Sequence, residues 1–160
     1  MAGLDSLYQE LILDHSKRRV GAADLAGTVE PPHSATSHQR NPVCGDEITL
    51  RATLAGGSDD DDGEVVSDVA WEGLGCSISQ ASASMLTELA RGASTAEVAR
   101  LTEGFREAMR SKGKLALDEE VFGDAAALSG VSRFTARVKC AMLAWVALED
   151  AVRRAHPSAG

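Results

Sequence analysis

Three cysteines and one aspartate are the residues of this sequence best suited to chemistry: Cys44, Asp46, Cys76 and Cys140. Three thiolates and a carboxylate form a ligand set that tetrahedral zinc accepts. The sulfur atoms favour zinc or iron over magnesium or calcium. However, no Cys-x-x-Cys pair is present, and a single cysteine is often a small buried apolar residue. The residue types alone therefore leave two interpretations open, a shared metal site or three buried thiols.

The local sequence places each of these residues where backbone N–H groups can stabilise an anion. Cys76 follows a Gly-Leu-Gly sequence at a predicted helix N-terminus, and Cys140 is predicted in the first turn or so of the last helix. Gly45 permits a turn that would bring Cys44 and Asp46 to one point just before a strand. A Cys-x-Asp corner of this kind can hold a metal.

Hydrophobic periodicity predicts the elements that position these residues. A helix is expected to about residue 16, followed by loop with one short edge strand, two further strands and three helices, and the class is α+β with a small antiparallel three-stranded sheet packed against helices in a single domain. Trp71 and Trp145 are expected in the core. The predicted strands are 35–39, 47–54 and 65–71, and the predicted later helices are 76–91, 94–109 and 136–154.

Length, charge and cysteine content limit the possible functions. A chain of 160 residues fits one domain, 1–160, with a tail at 157–160. The net charge of -8 argues against binding to nucleic acid, which depends on cationic contacts with phosphates. We expect neither a secretory signal nor a membrane span, and three cysteines favour a reducing compartment, so a cytoplasmic location is predicted.

Other polar residues are weaker candidates for a site. The acidic run 59–62 could bind calcium, but it lacks the alternating ligand spacing of calcium loops and is interpreted as an exposed loop without an assigned role. His15 is predicted on the polar side of a helix and His156 in the tail, so both are expected to be solvated. His33 and His38 have no assigned role.

Three ordered motifs carry a family resemblance. They are Asn-Pro-Val-Cys-Gly-Asp at 41–46, Gly-Leu-Gly-Cys-Ser-Ile-Ser at 73–79 with Ala-Ser-Ala-Ser-Met at 81–85, and Arg-Val-Lys-Cys-Ala at 137–141. Together with Trp145 they resemble the three signatures of the U-type iron–sulfur cluster assembly proteins, and the similarity extends from residue 7 to residue 145. The resemblance implies the fold of SufE and IscU.

Two features resemble the SufU branch of this family more than the IscU scaffold branch. An additional stretch at about 112–131 precedes the last cysteine. Scaffold-type proteins also have a histidine directly before that cysteine, whereas this chain has Lys139, whose ammonium cannot bind a metal unless it loses its proton. The resemblance implies a zinc-dependent sulfurtransferase that acts with a PLP-dependent cysteine desulfurase of the SufS type and supplies downstream Suf scaffold proteins.

The resemblance also implies roles for individual residues. Cys44 would be the sulfur acceptor, while Asp46, Cys76 and Cys140 keep hold of the zinc after a histidine of the desulfurase has replaced Cys44 on the metal. Arg137 would act near the metal, paired with Asp46 or with developing thiolate charge. A solvated surface arginine is the alternative for this residue.

Two other function classes stay open at this point. The first is a scaffold for a nascent [2Fe–2S] cluster, with iron in place of zinc, and Lys139 argues against it. The second is a structural zinc protein in which no thiol reacts. Asp46 argues against the second class, because closed structural sites normally use only cysteine and histidine. The oligomeric state and the next sulfur acceptor cannot be inferred from the sequence.

Overall fold

Three strands form one antiparallel sheet in the order β1-β2-β3. The computed structural model describes residues 2–25, 30–42, 45–56 and 64–155. The strands are β1 (Ser34–Arg40), β2 (Glu47–Ala55) and β3 (Val65–Leu74). The predicted strands 47–54 and 65–71 are confirmed as β2 and β3, each slightly longer than predicted. The predicted short edge strand is present as β1. The fold class inferred from the sequence is therefore confirmed.

The alternation of side chains in β2 explains how the sheet contributes to the core. Successive residues of a strand point to opposite faces, so one set of alternate side chains can be buried. The apolar set of β2 is buried and its polar set is only partly covered. The buried side chains are Ile48, Leu50, Ala52 and Leu54.

Five α-helices and one 3₁₀ helix are present in the described residues. They are α1 (Ala2–Arg18), α2 (Ser77–Ala90), α3 (Thr95–Arg110), α4 (Glu119–Phe122), the 3₁₀ helix (Gly123–Arg133) and α5 (Thr135–Ala155). Ser94 caps the start of α3, because the backbone N–H of Glu97 donates to Ser94 Oγ at 3.0 Å. The region 111–131 contains α4 and most of the 3₁₀ helix.

Helix α5 packs against β1, β2 and α2 and closes the core. Trp145 is fully buried on this helix and stacks on Phe105 of α3, with ring centroids 4.2 Å apart. Its indole N–H donates to Ser82 Oγ at 3.1 Å, and the Ser82 hydroxyl donates to the carbonyl oxygen of Ala141 at 2.7 Å. These buried contacts fix α2 against α5. Cys76 directly precedes α2, and Cys140 lies within α5.

No helix within the described residues is long and apolar enough to cross a bilayer.

The predicted core positions of Trp71 and Trp145 are confirmed, since each is at most 1% exposed. The acidic run 59–62, His156 and the tail 157–160 lie outside the described residues. The domain limits 1–160 and the insertion at about 112–131 therefore stay predictions.

Candidate metal centre

Asp46 is held by a tight turn directly before β2. The backbone N–H of Gly45 donates to the carbonyl of Asn41 at 2.8 Å, and the N–H of Asn41 donates to the carbonyl of Asp46 at 2.8 Å. Gly45 has φ of 79°, a left-handed conformation that glycine adopts without strain. Gly45 therefore has a conformation that the predicted turn requires, and Asp46 is only 5% exposed. The part of the prediction that concerns Cys44 lies outside the described residues.

Cys76 occupies the N-cap position of α2, as the sequence predicted. Its side chain is partly exposed, so an external group can reach the sulfur. The hydroxyl of Ser79 donates to the carbonyl of Cys76 at 3.0 Å and keeps this first turn closed. The N-cap position places Sγ beside the free N–H groups of α2, where a negative charge is stabilised.

Cys140 lies deeper in its helix than predicted. Because α5 begins at Thr135, this cysteine is in the second turn, not in the first, and the stabilising effect of the helix dipole is largely confined to the first turn. Its side chain is 3% exposed. Cys140 therefore meets the other two residues through the packing of α5 on α2 and not through a helix N-terminus.

The ligand atoms of Asp46, Cys76 and Cys140 all lie within 4.8 Å of one another. Cys76 Sγ is 3.6 Å from Asp46 Oδ2, close enough for the thiol to donate a weak hydrogen bond to the carboxylate. Zn–S and Zn–O bonds of about 2.3 and 2.0–2.2 Å at the tetrahedral angle place sulfur and oxygen about 3.5–3.7 Å apart. The observed spacing and the donor types fit a tetrahedral zinc ion.

Three further predicted site features are not tested by this geometry. Cys44 lies outside the described residues. Arg137 is exposed and lines an open groove that also contains Cys76, and within the described part of the chain it forms no ion pair with Asp46. Lys139 is exposed on α5. The roles of Cys44 and Arg137 remain predictions.

Gly75 is a site residue that sequence reasoning did not single out. A Cβ added at this position would lie 2.3 Å from Ser79 Oγ and 2.9 Å from Asp46 Cγ. Both distances are shorter than real Cβ contacts, so any side chain here displaces its neighbours. The Gly-Leu-Gly sequence before Cys76 was the available signal, since a glycine beside a ligand often marks close packing.

We expect Gly75→Ala to weaken zinc binding about 10-fold or more, because the new methyl group would push the Asp46 carboxylate away from the cysteine sulfurs. Competition with a zinc chelator measures the affinity. Gly130→Ala is the matched control, since its Cβ would meet only the Arg133 side chain at 3.9 Å. Equal affinities in the two variants would contradict this view of the site.

The prediction for His15 is wrong, because this side chain is fully buried and not solvated. Its Nδ1 lies 2.8 Å from Ser84 Oγ on α2, and its Nε2 lies 2.9 Å from Asp124 Oδ2 on the 3₁₀ helix. The signal was present in the sequence, since His15 is three residues after Ile12 and four after Leu11 on the apolar stripe of α1. His15 therefore ties α1, α2 and the 3₁₀ helix together.

Because His15 is fully buried and both of its ring nitrogens have hydrogen-bond partners, we expect His15→Ala to lower the free energy of unfolding by about 2–4 kcal/mol. Urea denaturation followed by circular dichroism measures the change. His38→Ala is the control, since this side chain is 54% exposed and only pairs with Glu47 at 3.1 Å, and it should change stability by less than about 0.5 kcal/mol. A similarly small change in His15→Ala would show that the buried contacts are energetically unimportant.

A second cluster of possible ligands surrounds His15 but does not fit a cation. His15, Glu88 and Asp124 have ligand atoms within 4.8 Å of one another. The guanidinium of Arg18 already lies there, 3.5 Å from Glu88 and 4.0 Å from Asp124. A metal ion would be repelled by this charge, so the cluster is best described as an ion-pair network. His33 is exposed and has no described role in the site.

The chain is similar in sequence to known proteins. The chain matches the NifU-like N terminal domain family over residues 7–141. It is 40% identical to the zinc-dependent sulfurtransferase SufU of Bacillus subtilis, covering 96% of this chain and 94% of that protein. It is 35% identical to the iron–sulfur cluster assembly scaffold protein IscU of Streptococcus pyogenes, covering 96% of this chain and 87% of that protein.

Solved structures show the same fold. A crystal structure from Fervidobacterium islandicum, provisionally assigned as an iron–sulfur cluster assembly scaffold protein for the SUF system, superposes with a TM-score of 0.62 at 32% identity and covers 89% of this chain and 94% of that chain. A NifU-like protein from Brucella abortus superposes with a TM-score of 0.73 at 23% identity, covering 94% and 95%. From the matched residues, the identities and the shared fold, we conclude that this chain belongs to the NifU-like N-terminal domain family.

Proposed function

We propose that this protein is a zinc-dependent sulfurtransferase that accepts persulfide sulfur from a SufS-type, PLP-dependent cysteine desulfurase and relays it to Suf scaffold proteins in the cytoplasm. The observation that carries the proposal is the group formed by Asp46, Cys76 and Cys140, whose ligand atoms lie within 4.8 Å of one another. The identity to a protein named zinc-dependent sulfurtransferase SufU, 40% over 155 residues, supports the same choice.

The donor types favour zinc as the bound ion. Two sulfurs and one carboxylate form the described part of the ligand set, and Cys44 would provide the fourth ligand from the adjacent turn. When bound, zinc keeps cysteine sulfur in the reactive thiolate form at neutral pH while protecting it from unwanted oxidation. Asp46 distinguishes this site from a closed structural one, because a carboxylate is uncommon among structural zinc ligands.

The proposed chemical step is a displacement at sulfur. The Cys44 thiolate attacks the outer sulfur of the persulfide on the desulfurase cysteine, and a new S–S bond forms on Cys44. The S–S bond of the donor breaks, and its electron pair leaves on the desulfurase cysteine as a thiolate. Sulfur moves at constant oxidation state, so the step needs no external oxidant or reductant.

Two cationic residues near the group have different proposed roles. Arg137 lines the groove that contains Cys76, and its proposed role is to stabilise the anionic persulfide as it arrives. Lys139 directly precedes Cys140 but lies exposed and lines a different groove, together with Arg40. This exposed ammonium adds no ligand for a cluster, which favours sulfur transfer over cluster assembly.

Elemental analysis and mass spectrometry of the purified protein test the proposal. We expect one zinc per chain and, after incubation with a cysteine desulfurase, PLP and cysteine, a mass gain of one sulfur on the peptide that contains Cys44. A coloured iron–sulfur species at high yield, with no persulfide on Cys44, would overturn the proposal. That result would favour the scaffold function named for the Streptococcus relative.

A further inference from the structure

An exposed aromatic side chain stands beside the candidate metal centre. Phe134 is 61% exposed and lines an open groove of about 730 Å³ together with Cys76, Ile78 and Arg137. Leu74, two residues before Cys76, is 70% exposed. Leu74 lines a different groove, so the relevant side chain is Phe134, a large apolar residue exposed in the same groove as the partly exposed Cys76.

A second groove lies between α5 and the segment that leads to Cys44. It has a volume of about 260 Å³, with Met142 and Val146 on its apolar side and the cationic side chains of Arg40 and Lys139 at its edge. Neither groove has an acidic residue among its described lining residues. Because this segment and Cys76 both border the metal centre, the two grooves flank the position where the proposed sulfur transfer takes place.

Three positive charges at these grooves are not neutralised within the described part of the protein. We call Arg40, Arg137 and Lys139 the basic collar; all three are exposed, and none forms an ion pair with a described residue. The collar is thus a local positive region on a chain with a net charge of -8.

From this distribution we infer that the Phe134 groove and the basic collar form the docking surface for the sulfur donor, whose surface around its persulfide cysteine is acidic and carries an exposed apolar side chain. The inference rests on the proposed function, because a donor must meet this face for its persulfide to reach Cys44. Covering the collar removes water from its charges, so only a partner with carboxylates can dock without a large desolvation penalty. The Phe134 ring would contact the apolar side chain and supply affinity that does not depend on salt.

Affinity for the desulfurase in the absence of cysteine isolates docking from chemistry. The zinc-loaded protein is titrated with a SufS-type desulfurase, comparing the double variant Arg40→Glu/Lys139→Glu and the variant Phe134→Ser with the wild type. We expect the charge reversals to weaken binding about 10-fold or more at low salt, and the effect to shrink to about 3-fold or less at 0.5 M salt. Phe134→Ser should weaken binding about 10-fold at both salt concentrations.

Matched controls exclude general effects of charge and surface polarity. Arg100→Glu reverses an exposed charge on α3, and Val121→Ser removes an exposed apolar side chain on α4, and both should bind within about twofold of the wild type. Unchanged affinity in the double variant or in Phe134→Ser would overturn the inference. It would also be overturned if Phe134→Ser abolished self-association of the wild type without affecting the desulfurase, since a second copy would then be the occupant.

A parallel measurement separates this inference from the proposed function. Sulfur loading of Cys44 from a small-molecule donor, cysteine persulfide, needs no docking, and all the variants should be loaded as the wild type is. Binding that depends on the collar, without any sulfur on Cys44 from either donor, would support the docking surface and overturn the sulfur-transfer function. If Cys44 gained sulfur from both donors, and the collar and Phe134 variants bound the desulfurase as tightly as the wild type, the function would be supported and the docking surface overturned.

Discussion

Replacing Cys76 by serine is expected to reduce the zinc content of the purified protein from one ion per chain to less than about 0.1. A serine hydroxyl is a much poorer zinc ligand than a thiolate at neutral pH. Of the three residues proposed to hold zinc throughout sulfur transfer only Asp46 and Cys140 would remain, together with Cys44, the ligand that is proposed to leave the metal. Elemental analysis measures the content, and chelator competition measures the affinity. The wild type should also show a zinc-dependent rise in melting temperature that this variant lacks, because an ion that binds only the folded state stabilises it.

The substitution Cys76→Ser is not expected to destabilise helix α2. Cys76 is the N-cap residue of α2 and makes no side-chain cap hydrogen bond, whereas serine is among the preferred N-cap residues. Cys76→Ser should therefore keep or improve the helix start, so that a loss of zinc cannot be attributed to unfolding of α2. Ser77→Ala, one residue further, is the control and should keep one zinc per chain. Normal zinc binding by Cys76→Ser would show that the Asp46–Cys76–Cys140 group is not the metal site.

Much of the fold follows from local sequence patterns, each of which favours a single local structure. The alternation of β2 agrees with its pairing to both neighbours, and the helix predicted at 94–109 begins within one residue of the start of α3. Glycine at position 45 indicated the left-handed turn that holds Asp46. In each case a short segment carries the whole signal, because its geometry is determined by backbone conformation and by which side chains can be buried.

The arrangement of the site depends on contacts that no local pattern contains. Gly75 is required by the approach of Asp46 from a different segment, and the depth of Cys140 in α5 becomes visible only when α5 is packed on α2. His15 was misassigned because its polarity was weighed above its position on the apolar stripe of α1. The burial could be inferred from that stripe, but the partners could not, because Ser84 and Asp124 lie 69 and 109 residues away in the chain.

The exposure of Phe134 could likewise not be inferred from the local sequence. Phe134 lies between the 3₁₀ helix and α5 and is 61% exposed. In the docking surface proposed above its partner belongs to another molecule, and a single sequence does not contain that partner.

Cys44→Ser is expected to abolish transfer of sulfur from the desulfurase, lowering its rate by about 10³-fold or more, because the hydroxyl cannot act as the acceptor nucleophile at neutral pH. The variant should retain part of its zinc, since Asp46, Cys76 and Cys140 stay in place. Mass spectrometry of the intact protein measures the sulfur gained, and elemental analysis measures the metal on the same sample. Loss of transfer together with retained zinc would assign Cys44 as the acceptor and the other three residues as the metal-holding group.

The matched comparison is Cys76→Ser, which removes a described ligand and leaves Cys44 intact. This variant should lose the zinc, and any sulfur it gains should appear on Cys44 in peptide analysis together with oxidised forms of the same thiol, because a free thiolate is no longer protected. The two variants thus separate the acceptor role from the metal-holding role. If Cys44→Ser accepted sulfur at the wild-type rate, Cys76 would be the remaining accessible acceptor, since Cys140 is only 3% exposed, and the assignment of Cys44 would be wrong.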